Sequence, residues 1–223
     1  MDGVTLESDA LGSDPAEESP GSTAQAAGAR SLSGEKAKRI VEAMRASVAR
    51  RGTVGSTFDH VSREAGVSRG LLHYYFGTKE QLLVEAVRRD CELRMEMLER
   101  QLSRAQSAED FIDLMAQNLQ RTVREDPDFV TLIFELFTLA RRNEDIALEY
   151  AELMRATREH VAAMLAAGQR EGILRLHADA ETVAEILFSL ADGFALRMLA
   201  EPERDFTATV QAGIACARAL LTD

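Results

Sequence analysis

The stretch Gly52–Leu83, GTVGSTFDHVSREAGVSRGLLHYYFGTKEQLL, constrains this chain more than any other, because it holds two short helical patterns joined by a tight turn. Phe58, Val61 and Ala65 fall at i, i+3 and i+7, one face of a helix. Ser56 reads as the N-cap of that helix, and Asp59 at the third position suits both a capping box and the positive helix end. Gly66 ends it, since a residue just past a helix commonly needs a positive φ. Val67 tucks between the two helices and Ser68 caps the second. There Leu72 and Phe76 point inward, leaving Arg69, Gly70, Leu71, His73, Tyr74 and Tyr75 on the surface. Gly77 closes this helix, and Thr78 with Gln81 forms a T-x-x-Q box that opens a third at Lys79.

A helix, a glycine turn and a second helix rich in hydrogen-bond donors is the sequence form of a helix-turn-helix. The second helix enters a major groove and the first crosses the phosphate backbone. The run EAGVSRGLLHYYFGTKEQLL resembles the DNA-binding segment of TetR-family transcriptional regulators: the A-G-V-S turn, the small residue after the basic one, the aromatic cluster ending in Phe, and the Lys-Glu that opens a long fourth helix. The resemblance implies double-stranded DNA as partner. It places Ser68, Arg69, Gly70, Leu71, His73, Tyr74 and Tyr75 on the recognition helix, and Thr53, Ser56 and Thr57 where the family's backbone contacts fall. Ser56 is explained equally by its capping role. Arg69 is the candidate for base reading, because a guanidinium bonds guanine O6 and N7 together. His73, Tyr74 and Tyr75 divide between bases and phosphates. Leu71 departs from the small polar residue often found there, and either touches a thymine methyl or makes no base contact. Lys79 reads as a phosphate contact beside helix-end amides or as a solvated lysine.

The net charge of −11 looks wrong for a DNA binder until it is divided along the chain. Residues 34–90 carry eleven bases against seven acids, whereas residues 1–33 carry six acids and one base, and residues 91–223 fourteen bases and twenty-four acids. Only the segment holding the helix-turn-helix is basic, the electrostatic footprint that a phosphate-facing surface needs. No apolar run approaches the roughly 20 residues of a membrane span, and the acidic N-terminus lacks the basic and apolar regions of a signal peptide, so a cytoplasmic protein without a membrane partner is expected. Cys91 and Cys216 stand far apart in no metal or redox spacing and read as reduced, partly buried helix residues. His160 and His177 are isolated, so neither a metal nor another cofactor is expected. No G-x-S-x-G, phosphate loop, H-E-x-x-H or Cys–His arrangement supports an enzyme.

The fold class is all-α, with about nine helices. Residues 1–33, rich in Ser, Gly, Ala, Pro and acid, are expected to be disordered. Residues 34–78 form a three-helix DNA-binding domain whose first helix, from Glu35 to Arg51, carries Ile40, Met44 and Val48 on one stripe and stops at Gly52. Residues 79–223 form a helical ligand-binding and dimerisation domain. Its first helix runs from Lys79 toward Arg104, with Leu82, Leu83, Ala86, Val87, Leu93, Met97 and Leu98 on the apolar side. Five more helical patterns follow, about 108–125, 128–142, 145–171, 180–200 and 206–221, broken at Asp126-Pro127, Asn143, Gly172 and Pro202. FVTLIFELFTLARR is apolar almost all round and should be central.

The later helices also resemble the ligand-binding domain of TetR relatives. That resemblance implies a homodimer built from the last two helices, a palindromic operator, and a small-molecule effector between helices. Ala191, Gly193, Ala195, Ala212, Gly213, Ala215 and Ala219 suit close helix approach, between chains or within one. Candidate pocket residues are Phe111, Met115, Leu119, Phe134, Phe137, Met154, Met164 and Phe188, each of which also fits plain core. Glu135, an acid on a greasy helix, either pairs with an Arg structurally or meets a polar ligand group. The implied activity is that of a repressor released from DNA by its effector; an effector-free DNA-binding dimer is the alternative.

Overall fold

A computed structural model describes residues 35–222, and among these it contains nine helices and no strand. They are α1 (Glu35–Gly55), α2 (Phe58–Ala65), α3 (Arg69–Phe76), α4 (Lys79–Leu102), α5 (Ala108–Glu125), α6 (Pro127–Ala140), α7 (Glu144–Arg170), α8 (Ala180–Ala200) and α9 (Thr207–Leu221). The tail expected to be disordered, residues 1–33, lies outside the described residues. Side-chain caps set most helix starts: Thr57, Ser68, Thr78, Ser107, Asn143 and Asp179 each accept a backbone amide from the first turn. Asp126 does the same for α6, with Pro127 beside it at the position where a missing N–H is harmless.

The first helix does not simply stop at Gly52. The chain bends there, at φ 67 and ψ 174, and then makes one further turn to Gly55. Only glycine takes that φ cheaply. The bend turns Ser56 inward, so the N-cap of α2 is Thr57, whose hydroxyl accepts from the His60 amide. Asp59 is therefore not the capping-box partner that the sequence suggests.

Apolar side chains gather in two main cores joined by the two longest helices. The first takes Ile40, Met44 and Val48 from α1, Phe58 and Val61 from α2, Leu72 from α3, Leu82 and Leu83 from α4, Leu132 and Leu136 from α6, and Ile146 and Leu153 from α7. Ile40, Leu72, Leu82, Leu132 and Leu136 have no exposed surface, and each contributes roughly 1.5–3 kcal/mol by leaving water. The second takes the far halves of α4 and α7 with α5, α8 and α9, around Leu98, Ile112, Leu165, Val183 and Leu221. Helices α1–α3 thus share one core with α6. On α4, Leu93 and Met97 are exposed rather than apolar-side residues. The core stripe of α4 instead passes through Val84 and Cys91 before reaching Leu98.

Candidate nucleic-acid interface and internal cavity

Gly66, at φ 66, turns the chain from α2 into α3, and its amide bonds back to the Ser62 carbonyl. Leu72 is sunk in the core beneath, while Leu71 and Phe76 lie half-buried against it. This anchoring leaves Ser68, Arg69, Gly70, His73 and Tyr74 exposed along one side of α3, with Tyr75 half-buried and edge-on to Tyr74 at 5.1 Å. The Ser68 hydroxyl accepts from the Leu71 amide. The Arg69 guanidinium reaches the Asp59 carboxylate of α2 at 3.3 Å, and its Nε donates to His73 Nε2 at 3.3 Å.

The remaining interface candidates lie on the last turn of α1 (Thr53), the link from α1 to α2 (Ser56 and Thr57) and the start of α4 (Lys79). Thr57 is exposed. Ser56 is fully buried, its hydroxyl bonded to Ser47 Oγ at 3.0 Å and to the Gly52 carbonyl at 2.9 Å, so in this conformation it is not available to a phosphate. Thr53 is half-buried and held from both sides. Its Oγ1 and N–H donate to Glu135 Oε2 at 2.8 and 3.4 Å, and its carbonyl accepts from Lys79 Nζ at 3.0 Å. Glu135 therefore neither pairs with an arginine nor faces a pocket; it ties α6 to the last turn of α1. Lys79 lies against that turn, also 3.5 Å from the Val54 carbonyl, rather than projecting as a free lysine.

A cavity of about 370 Å³ lies between α4, α5, α6, α7 and α8. Met115, Leu119, Phe134, Met154 and Phe188 line it, as the sequence suggested. Phe111 and Met164 do not: both are buried in the second core. Phe137 lies outside too, 47% exposed and packed on Tyr150 at 6.0 Å. Among the lining residues that the sequence reading missed are Phe129, Tyr150, Arg94, Arg158, Glu185 and Asp192. Phe129 and Tyr150 carried an aromatic signal, whereas nothing in helical periodicity marks the four charged residues.

Most of these charges are already matched. Arg94 bonds Asp126 and Thr122 while stacking over Phe129, 3.9 Å from the ring centre. Arg158 pairs with Glu185 at 3.2 Å. Asp192 borders the cavity while remaining exposed in the single chain, and has no hydrogen-bond or ion-pair partner among the described residues; desolvation by the surrounding helices and then the Glu185 charge raise its carboxyl above the usual range. Burial, with Asp192 and Cys91 adding to it, also raises the Tyr150 phenol. Cys91 in the same wall has its thiol pushed up to about 12 by burial, which leaves it protonated and inert. Among the described residues no group of His, Cys, Asp and Glu is arranged to hold a metal ion, and no helix is long and apolar enough to cross a membrane.

A helix-turn-helix mounted on a helical body with a largely apolar, partly open cavity defines a DNA-binding regulator with room for a small molecule. The comparisons narrow this class. Residues 40–86 match the family model for bacterial regulatory proteins of the tetR family, and residues 107–222 match that for the C-terminal part of BetI-type transcriptional repressors. The chain belongs to the TetR family of transcriptional regulators, with a BetI-type C-terminal region. The regulator BetI of Rhizobium meliloti is 26% identical over 160 residues, covering 72% of this chain and 76% of the relative. Two solved structures share the fold. FadR from Bacillus subtilis, in complex with stearoyl-CoA, has a TM-score of 0.68 at 17% identity, covering 81% of this chain and 96% of its own. A transcriptional regulator from Saccharomonospora viridis, in complex with choline, has a TM-score of 0.67 at 22% identity, covering 85% and 99%.

Proposed function

We propose that this TetR-family repressor works as a homodimer, binding a palindromic operator through two copies of α3 and leaving it when a small molecule fills the cavity. In this reading Arg69 reads a base edge with His73 backing its guanidinium, Tyr74 and Tyr75 share bases and phosphates, and Thr57 and Lys79 approach the backbone, while Thr53, its donors held by Glu135, positions that segment. The observation that carries the reading is continuity between cavity and interface. Phe134 lines the cavity, and its neighbour Glu135 bonds Thr53 beside the helix-turn-helix. A molecule that displaces α6 or α4 changes the spacing of the recognition helices away from one DNA turn, about 34–36 Å. Effector and operator then oppose each other reciprocally, by a coupling of about 1–3 kcal/mol.

The chemistry of the wall favours a largely apolar effector with a positive group directed at Asp192. An acyl-CoA brings several phosphate charges toward an unpaired carboxylate, so the choline-bound neighbour is the nearer chemical precedent. For the dimer, α8 and α9 each leave a strip uncovered: Ile186, Gly193 and Leu196 on one, Ala212, Ala215 and Ala219 on the other. Gly213 belongs to the seam within the chain instead, since a Cβ there would come within 2.5 Å of the Phe194 ring.

Selecting genomic fragments with the purified protein, then titrating the recovered duplex with choline, longer alkyl-ammonium ions and stearoyl-CoA, tests this reading. Release by an ammonium ion and not by stearoyl-CoA is expected. Tight selective binding that none of these compounds relieves favours the effector-free dimer.

A further inference from the structure

Resting on the reading of Arg69 as the base-contacting residue, we infer that Asp59 is a specificity-determining residue that touches no base, acting with His73 to hold the Arg69 guanidinium in its reading position. Asp59 accepts from Arg69 Nη1 at 3.3 and 3.4 Å through its two oxygens. On the other side, Arg69 Nε donates to His73 Nε2 at 3.3 Å. His73 Nδ1 lies 3.3 Å from the Gly77 carbonyl, which has no proton to give, so the ring proton sits on Nδ1 and Nε2 keeps its lone pair for the arginine. The ring is fixed in turn by Phe58, which is buried and meets it edge-on at 4.6 Å. Among the described residues, Nη2 is the one guanidinium nitrogen of Arg69 without a partner, and it is presented already oriented.

The placement of Asp59 needs such a role. It is exposed in the first turn of α2, the helix that crosses the phosphates in this kind of domain. A carboxylate there repels every duplex regardless of sequence. Its interaction with the helix dipole explains an acid in that turn but not one aimed at Arg69. Holding the arginine raises affinity for the right base, and repelling phosphate lowers affinity for all DNA, so both effects widen the ratio between cognate and random sites. In free solution the pair is solvated and adds little to stability; the duplex excludes that water and makes the orientation matter.

The test compares wild type, Asp59→Asn, Arg69→Ala and the double variant at one salt concentration. Each is titrated with the selected operator duplex and with the same duplex carrying scrambled half-sites, and melting temperatures are recorded alongside. Asp59→Asn is expected to tighten scrambled DNA while weakening the operator, cutting the ratio by roughly tenfold, the order of one lost base-discriminating contact. In the Arg69→Ala background the same change should leave the ratio where Arg69→Ala put it. A ratio untouched by Asp59→Asn at unchanged melting temperature, or a drop that persists without Arg69, overturns the inference and leaves Arg69 as reader. If Arg69→Ala itself weakens both duplexes equally, Arg69 is a phosphate contact and the inference falls with it.

Discussion

Gly70 is the second residue of α3, and a Cβ there would meet nothing within 4 Å. Its helical backbone does not call for glycine, and an alanine would gain up to about 1 kcal/mol of helix propensity. In the proposed reading the missing side chain makes room for the duplex. Gly70→Ala is expected to raise the melting temperature while weakening operator binding; equal or better binding would remove Gly70 from the interface. Residues near it show how far side-chain chemistry is legible in sequence. Ser56 and Thr57 offer the same hydroxyl to the same helix, and which of them caps depends on the bend at Gly52. A glycine announces freedom to bend, not the direction taken. Glu135 was visible as an anomaly on an apolar helix, but its partner Thr53 lies eighty-two residues away.

At the scale of the helices, extents were readable because caps and breaks are local chemistry: Ser107, Asn143, Asp179, Gly66 and the Asp126-Pro127 corner fall where helices begin or end. Which faces meet was less readable. On α5, Phe111 and Met115 lie one turn apart, yet one is 3% exposed in the second core and the other borders the cavity. Periodicity identifies an apolar face without saying whether atoms or empty space lie opposite. The charged tie between elements was not visible at all. Arg45 of α1 bonds Asp90 of α4 at 2.9 Å and Asp126 at 2.6 Å, and Arg94 of α4 reaches the same Asp126. Burial alone would raise the Asp126 carboxyl, but the hydrogen bond from Arg45 and the charges of both arginines hold it below the usual range. A depressed folded value means that the stabilisation is complete above the unfolded carboxylate range near 4 and is lost as pH falls through the folded value. Asp126→Asn should cost about 1–3 kcal/mol at neutral pH, and denaturant titrations from pH 6 to 2 should give it a shallower acid loss than wild type. Parallel pH curves would show that this carboxylate carries no such linkage.

For the whole molecule, the fold was legible because one stretch, Gly52–Leu83, carried it, and the basic segment around that stretch stood out against an acidic remainder. In the proposed dimer, the outward strips of α8 and α9 bring two such surfaces together. Ala215→Arg places a large charged group on that strip without touching α1–α3. It is expected to shift the protein to monomer by sedimentation and to weaken a two-half-site operator far more than an isolated half-site. A variant that stays dimeric would move the interface elsewhere.

The peptide at Thr53, gripped by Glu135 on one side and Lys79 on the other, has a consequence for modular engineering of this repressor. A foreign DNA-reading module joined at residue 78 would keep both gripping side chains and lose what they grip, unless it brought its own hydroxyl and carbonyl to the same spot. On the proposed coupling through Glu135, such a hybrid is expected to recognise its own sequence but to lose response to the compound that fills the recipient cavity. Grafts intended as inducible switches should therefore carry the Gly52–Gly55 turn with them.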